Sequence, residues 1–360
     1  HSYSSAFLKK NLEIMGFKNI IEIDNGETVN IKNKTNITIF AADNCDPNMC
    51  KKFVGCNYSD NSKKSQQIDS CAIIHDENSN CVNLNDCMQP MMIETVKKIK
   101  KKFNHIDILL VNYNSAHSYP QNIININYDE KKKISNKIKK LNLEKSFKYL
   151  EQFQPKYFIP FAGEYLISGK KYDLNNIKGT NSQNECYDFF VNSEYKNQLV
   201  MLNYGNIFDG STIPKFKKIN EIEEKEYLKK ISKIRYDYEY SELPKEEELE
   251  LLSHKAFQNI LKKKDYFKIN FDHVLYIKYF KKFISLNFDK KEIKISKEIT
   301  QENKNYTILH LSEKLFLNLL KGPRYAHWNN ADIGSHIDYT KSNIHDYNYK
   351  LFNILAYFHS

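Results

Sequence analysis

The stretch from Asp69 to Cys87 constrains the fold more than any other part of the chain. Two short apolar runs, Cys71 to Ile74 and Cys81 to Leu84, flank a polar turn. Such a pair predicts a β-hairpin. The second run delivers Asn85, Asp86 and Cys87 to a strand end, where a carboxylate is well placed to act as a metal ligand on a rigid scaffold. The competing reading makes Asp86 the cap of the following helix, which would begin near Pro90.

Around this hairpin the chain alternates between strand and helix patterns. Phe7 to Met15 predicts a helix, Asn19 to Ile23 a strand, and Asn25-Gly26 a turn. Asn36 to Ala41 alternates and is β-branched, so it predicts a strand, and a polar, cysteine-containing loop follows from Ala42 to Gln67. A helix is expected near 91–102. Ile106 to Val111 is a continuous apolar run bounded by polar residues, as in a strand buried on both faces. The longest helical pattern covers 128–153, with Ile134, Ile138, Leu141, Leu143, Phe147, Leu150 and Phe153 near helical spacing. Tyr157 to Pro160 predicts another short buried strand. Alternation of this kind argues for a layered α/β domain.

The charged segment Lys215 to Glu250 changes the composition and predicts helices and a connection into a second region. Residues 266–320 mix helix and strand patterns in the manner of a small α+β unit. The expected organisation is therefore a first domain over 1–214 and a C-terminal appendage over 215–360, with a return segment at 322–360 rich in Asn, His and Tyr. The sequence contains no internal repeat.

Composition narrows the function classes. The chain has 360 residues, 41% of them hydrophobic, and 25 Tyr and 22 Phe supply much of that apolar surface. The formal charge of +10 would suit anionic partners. However, the lysines fall in runs such as Lys97–Lys102 and Lys131–Lys140, inside helical patterns, where they read as solvated faces. No zinc-finger spacing, helix-turn-helix cue or aromatic RNA-binding signature accompanies them, which disfavours nucleic acid as a partner. No apolar stretch approaches the roughly 18 residues of a membrane-spanning helix, and no signal peptide is visible. Seven cysteines without a secreted disulfide framework point to a reducing cytoplasm. Three of them, Cys45, Cys50 and Cys56, cluster in one run, readable as a small metal site or as reduced thiols.

Four separated segments together resemble the metallo-β-lactamase-fold branch that contains CMP-N-acetylneuraminate hydroxylase. They are Ile68 to Cys87, Asp107 to Pro120, Gln154 to Gly163 with the polar stretch ending at Asn175-Asn176, and Trp328 to His336. Their order and approximate spacing match that family. The resemblance implies a four-layer αβ/βα sandwich, with metals at one edge of the paired sheets and an appended α+β region. The family's ligands come from a His-x-His-x-Asp-His loop, a second His, a bridging Asp and a last His.

Carried over residue by residue, the resemblance assigns Asp86 to the bridging Asp. His1 stands where the last His of the loop motif would fall, although His1-Ser2 reads equally as the remnant of a purification tag. The strands that precede the loop in the family are absent, so the chain is expected to be incomplete at its N-terminus. The second-His position falls near Asp43 to Pro47, where Asp46 takes the place of His. Such a carboxylate would make a harder site suited to iron or manganese; the competing reading is an Asx-turn before Pro47. His117 is a positional candidate for the last His, against a structural hydrogen-bonding role.

In the fourth segment, Arg324, His327, Trp328 and His336 are expected to bind substrate, because Arg suits a phosphate and an aromatic suits a base or sugar face. The competing reading makes Trp328 an anchor and Gly334 a turn. The resemblance thus implies a metal-dependent enzyme with two irons per chain, or with zinc or manganese. Its leading activity is a di-iron oxygenase hydroxylating a sugar or nucleotide-sugar. The alternatives are a zinc- or manganese-dependent hydrolase of a phosphoester, lactone or amide, and a degenerate binding protein. No Rieske-type cysteine–histidine pair is present, so an oxygenase would draw electrons from an upstream module or a separate electron-transfer protein.

Overall fold

The computed structural model describes residues 6–43, 69–161, 163–266, 273–299, 305–344, 351 and 354–360. It is a mixed α/β structure with two mixed sheets and flanking helices. The chain divides into two compact units. The first comprises His1–Ser115, Ile138–Glu164 and Thr180–Ile219, and the second comprises Ala116–Lys137, Tyr165–Gly179 and Asn220–Ser360.

The first unit holds a six-stranded sheet in sequential order: β1 (Thr28–Lys32), β2 (Thr35–Ala41), β3 (Ser70–His75), β4 (Asn80–Asn83), β5 (Ile108–Asn112) and β6 (Tyr157–Phe161). Pairing is antiparallel from β1 to β4 and parallel from β4 through β5 to β6. The hairpin expected from the sequence forms, and its turn is fixed by Asp76. One Asp76 carboxylate oxygen accepts from the backbone N–H of Asn78 and Ser79, both at 2.8 Å. Those two bonds hold the Asp76 carboxyl below its ordinary pKa.

The helices of this unit are α1 (Ala6–Ile14), α2 (Ile93–Lys102) and α4 (Gln183–Val191), together with the C-terminal part of α3 (Tyr128–Phe153). Ile73, Val82, Leu109, Val111 and Phe158 from the sheet are fully buried with Leu143, Tyr149, Leu150 and Phe153 of α3. The other face of β5 is less covered than its uniform apolar run suggests, since Ile108 and Leu110 remain half-buried. Helix α4 starts with a capping box, Ser182 and Glu185 each accepting from the other's backbone N–H.

Two local expectations are corrected. Residues 19–23 form no strand: the segment is irregular and Ile21 is 62% exposed. The outer strand is instead β1, whose largely exposed side chains carry no hydrophobic alternation. Asp86 does not cap α2 either. The cap comes from Asp43, whose carboxylate accepts from Glu94 N–H at 2.8 Å, Thr95 N–H at 2.9 Å and the Thr95 hydroxyl at 2.7 Å. Asp43→Ala should therefore lower stability by about 1–2 kcal/mol, and Asp43→Asn by less, in urea denaturation followed by circular dichroism.

The second unit is built on a five-stranded sheet in the order β11-β10-β7-β8-β9. The strands are β7 (Val274–Tyr279), β8 (Lys282–Asn287), β9 (Glu292–Ser296), β10 (Tyr306–His310) and β11 (Asp338–Lys341). Strands β7 and β10 are parallel and all other pairs antiparallel. Its remaining helices are α5 (Glu221–Ile231), α6 (Glu246–Tyr266), α7 (Glu313–Lys321) and α8 (Trp328–Ile333), with 3₁₀ segments at Gly169–Asn176 and Asp237–Tyr240. Helix α6 meets the sheet through Phe257, whose ring lies against Phe288. The C-terminal segment belongs here, because β11 completes this sheet beside β10. The segment after Ala116 is tied to the same strand: Tyr339 N–H donates to Asn122 O and Ile124 N–H donates to Tyr339 O, both at 2.8 Å.

Candidate functional site

Topology sends several loops of the first unit to one edge of its sheet. Strands β4, β5 and β6 run parallel, so they end together; β2 ends there as well, and β3 begins there. That edge carries Asp43 after β2, Asp86 after β4, Asn112 to Asn114 at the end of β5, and Gly163 after β6. Ligand sites in open sheets gather at the C-terminal ends of parallel strands. Asp86 itself is exposed in the turn that follows β4. The turn is set by Asn85, in the left-handed region at φ 51°, whose N–H donates to Asn83 Oδ1 at 2.9 Å. Close packing fixes the neighbouring loops. A Cβ on Gly163 would lie 2.4 Å from the Tyr113 ring, so only glycine fits there. Burial pushes the Tyr113 phenol well above its ordinary pKa.

The metal ligands expected from the sequence are only partly placed. His1 and Asp46 lie outside the described residues, as do Cys45, Cys50 and Cys56. Asp43 is engaged as the α2 cap, and His117 belongs to the second unit. Among the described residues no group of three or more His, Cys, Asp and Glu side chains converges as a metal site. The described residues alone therefore do not make up the donor set of a di-metal centre, and Asp86 is the one expected ligand of the first unit that can be placed.

A cleft of about 470 Å³ lies within the second unit. The 3₁₀ segment Gly169–Asn176 contributes Lys170 and Lys171, with Ser168 just before it. Tyr236, Tyr238 and Glu239 come from the second 3₁₀ segment and its N-cap, and His310 from the C-terminal end of β10. Ser312 and Lys314 come from the start of α7, and His336 and Asp338 from the entry to β11.

Two of the three lysines of this cleft are paired with its carboxylates. Lys170 meets Glu239 at 3.0 Å and Lys171 meets Asp338 at 2.7 Å. The Lys314 ammonium donates to the Glu239 carbonyl at 3.1 Å. The Tyr236 and Tyr238 rings are within 3° of parallel with centroids 6.0 Å apart, and the His336 ring stands edge-on to both. His336 Nδ1 and the Tyr238 hydroxyl are 3.1 Å apart, as are Nε2 of His310 and the Thr340 hydroxyl at 3.0 Å. Burial pushes the Tyr238 phenol up to about 12. It lowers both histidines below their ordinary pKa, with Lys278 adding to the effect on His310 and Lys171 to that on His336, while Asp338 and Glu239 respectively oppose it.

The expected substrate residues of the fourth segment separate in space. His336 lines the cleft. Trp328 does not offer a face to a ligand: it is 3% exposed, its ring packs against Phe316 and Phe358, and its indole N–H donates to Phe358 O at 2.9 Å. His327 caps α8, its Nδ1 accepting from Asn329 N–H at 3.2 Å, and Arg324 is exposed outside the cleft lining. The carbonyl of His117 accepts from Gln121 Nε2 at 2.7 Å and from the Tyr165 hydroxyl at 2.9 Å. Its ring adds to the field at Asp332, a carboxyl that burial raises and that the Ser118 and Tyr339 hydroxyls bond. Sequence reasoning missed Lys170, Lys171, Tyr236, Tyr238, His310 and Lys314. The alternation of aromatic and acidic residues from Tyr236 to Tyr240 was the one local signal that marked any of them.

No family model matches the sequence, and no curated protein matches it. Among solved structures there is a likeness to CmlA, a diiron beta-hydroxylase from Streptomyces venezuelae, with a TM-score of 0.28 and 8% identity. It covers 55% of this chain and 35% of that one, so the likeness spans about a third of the other protein's length. No described helix is long and apolar enough to cross a membrane.

The two histidines of the cleft, lowered like His75 and His327, make stability depend on pH. Below about pH 6.5, the ordinary histidine value, the unfolded chain takes up protons that folded His310 and His336 still refuse. Their contribution is therefore present above that pH and lost as pH falls. Thermal melts should drop between about pH 7.5 and 5.5, and His336→Asn should make that slope shallower than in the native sequence.

Proposed function

We propose that the chain is a metal-dependent enzyme of the metallo-β-lactamase type, arranged as the four-layer sandwich of that fold. In its finer form the proposal is a di-iron oxygenase that hydroxylates a sugar or nucleotide-sugar and receives electrons from a separate protein. The reading is supported by the four-segment resemblance in the sequence. The structural observation that carries it is the position of Asp86, exposed at the C-terminal end of β4 on the edge where three parallel strands end together. A carboxylate there is exposed, in a turn set by Asn85 and its bond to Asn83. His1 and Asp46 are the further ligands proposed for the first unit. The metal would select the chemistry: iron suits oxygen activation, whereas zinc or manganese suits hydrolysis of a phosphoester, lactone or amide.

The test is elemental analysis of the protein purified without added metal, alongside Asp86→Asn. Because Asp86 is exposed, that variant should keep its fold by circular dichroism. About two irons per chain, lost in the variant, is the expected result. Zinc or manganese lost in the variant would move the assignment to hydrolysis. Metal content that ignores the substitution, or no metal in either protein, would overturn the enzyme reading in favour of a binding protein.

A further inference from the structure

The cleft of the second unit is a built site, and the chemistry of its walls identifies a ligand class. Three lysines, two histidines, two tyrosines and two serines converge there from four separate stretches of chain. Its volume of about 470 Å³ falls in the range of small-molecule sites. The glycines beneath it leave no slack. A Cβ on Gly334 would lie 2.8 Å from the His336 ring and 2.9 Å from Asn330 O. Gly169, at φ 67°, holds Ile234 O and the Tyr236 ring at 3.0 and 3.1 Å from where its Cβ would stand. Both positions press backbone against an aromatic side chain of the cleft wall, Tyr236 at Gly169 and His336 at Gly334.

The lining favours an anion that also carries hydroxyl groups. Lysine ammoniums outnumber carboxylates three to two, and the two carboxylates are already engaged by Lys170 and Lys171. Side chains of Lys170 and Glu239 are 84% and 16% exposed, so the ammonium reaches open water while its partner sits in the wall. Helix α7 begins in the same wall, and the side chain of its N-cap residue, Ser312, makes no capping hydrogen bond. The first turn of nine-residue α7 carries Glu313 as its acidic residue, and Lys314 lines the cleft. A bare anion would meet Glu239 and Asp338 as repulsive neighbours. A ligand with hydroxyls donates to those carboxylates instead, and the parallel Tyr236 and Tyr238 rings supply an apolar flank for a sugar or base.

We propose that this cleft binds a small molecule bearing a phosphate or diphosphate on a hydroxylated body, with Lys170, Lys171 and Lys314 holding the phosphate. The site lies wholly in the second unit and does not rest on the metal reading, which is tested at Asp86.

Isothermal titration of the full chain with ribose 5-phosphate, AMP, ribose and adenosine tests the assignment. Both phosphorylated probes should bind at least tenfold more tightly than their unphosphorylated counterparts. A preference for AMP over ribose 5-phosphate would identify a nucleotide, and the reverse a sugar phosphate. Lys171→Met combined with Lys314→Met should weaken binding at least tenfold, while Lys97→Met, in the first unit, should leave it unchanged. Because Lys171 also holds Asp338, Lys314→Met alone carries the test if the double variant does not fold; its ammonium donates to a backbone carbonyl. Absence of binding by either phosphorylated probe at millimolar concentration would overturn the proposal. So would equal affinity for ribose and ribose 5-phosphate, or binding indifferent to the loss of Lys314.

Discussion

Parallel strand pairing is the constraint on which both candidate regions depend. Two parallel strands that end side by side leave their C-terminal carbonyls and the following loops at one edge, where the sheet itself no longer satisfies them. In the first unit β4, β5 and β6 end together, and the polar residues that follow them are Asn85 and Asp86, Asn112 to Asn114, and Gly163. Part of this edge is stitched by buried amides. Asn114 Oδ1 accepts from Asn181 N–H at 2.7 Å, and Asn114 Nδ2 donates to Asn181 O at 2.9 Å. These bonds tie the residues after β5 to those that lead into α4. In the second unit β10 lies parallel to β7 and antiparallel to β11, so its C-terminal His310 faces Asp338 across the ladder. The cleft opens at that pair.

The two regions use charge differently. At the first edge the acidic groups are divided between tasks: Asp43 is committed to the N-terminus of α2, whereas Asp86 is left to solvent. A carboxylate at a helix N-terminus satisfies orphan N–H groups and opposes the helix dipole, which is a structural role. In the cleft the Lys170 and Lys171 ammoniums are held by carboxylates in partly exposed ion pairs, an arrangement that contributes little to folding stability. Pairs of that kind exchange partners at small cost, so an incoming phosphate competes with Glu239 and Asp338 on nearly even terms. The fold of the second unit rests instead on apolar packing, including the Phe316–Trp328–Phe358 row and α7 leucines such as Leu319 and Leu320.

Legibility in the sequence followed the range of the interactions involved. The 128–153 helix, the hairpin, and the strands at 36–41, 106–111 and 157–160 were readable because their apolar patterns repeat over a few residues. Strand β1 was not, since an exposed outer strand needs no apolar face, whereas the apolar residues at 19–23 predict a strand that does not form. The α2 cap was hidden because its donor and acceptor lie about fifty residues apart in the chain. Arg324, His327, Trp328 and His336 looked like one site because they are neighbours in sequence. A helical turn at α8 sends the indole into the core, keeps His327 as a cap, and leaves His336 for the strand entry. The cleft itself draws on four stretches of chain that lie far apart in sequence, so no single run of residues announces it.

The glycines explain why the cleft residues hold their places without a motif to announce them. Gly334 sits two residues before His336, and Gly169 one residue before Lys170, each in a position where a side chain would collide with an aromatic group of the wall. At Gly169 the positive φ adds a second reason, because a residue with a Cβ is strained there whatever the space. Backbone brought this close to Tyr236 and His336 removes their freedom to turn away, and His336 in turn is held edge-on by the two tyrosines and bonded to the Tyr238 hydroxyl. Lys170 and Lys171 carry their cations on long side chains in ion pairs with Glu239 and Asp338, so the cleft combines an aromatic wall bonded to itself with exchangeable cations. That division suits a ligand whose ring must be oriented while its phosphate is merely neutralised.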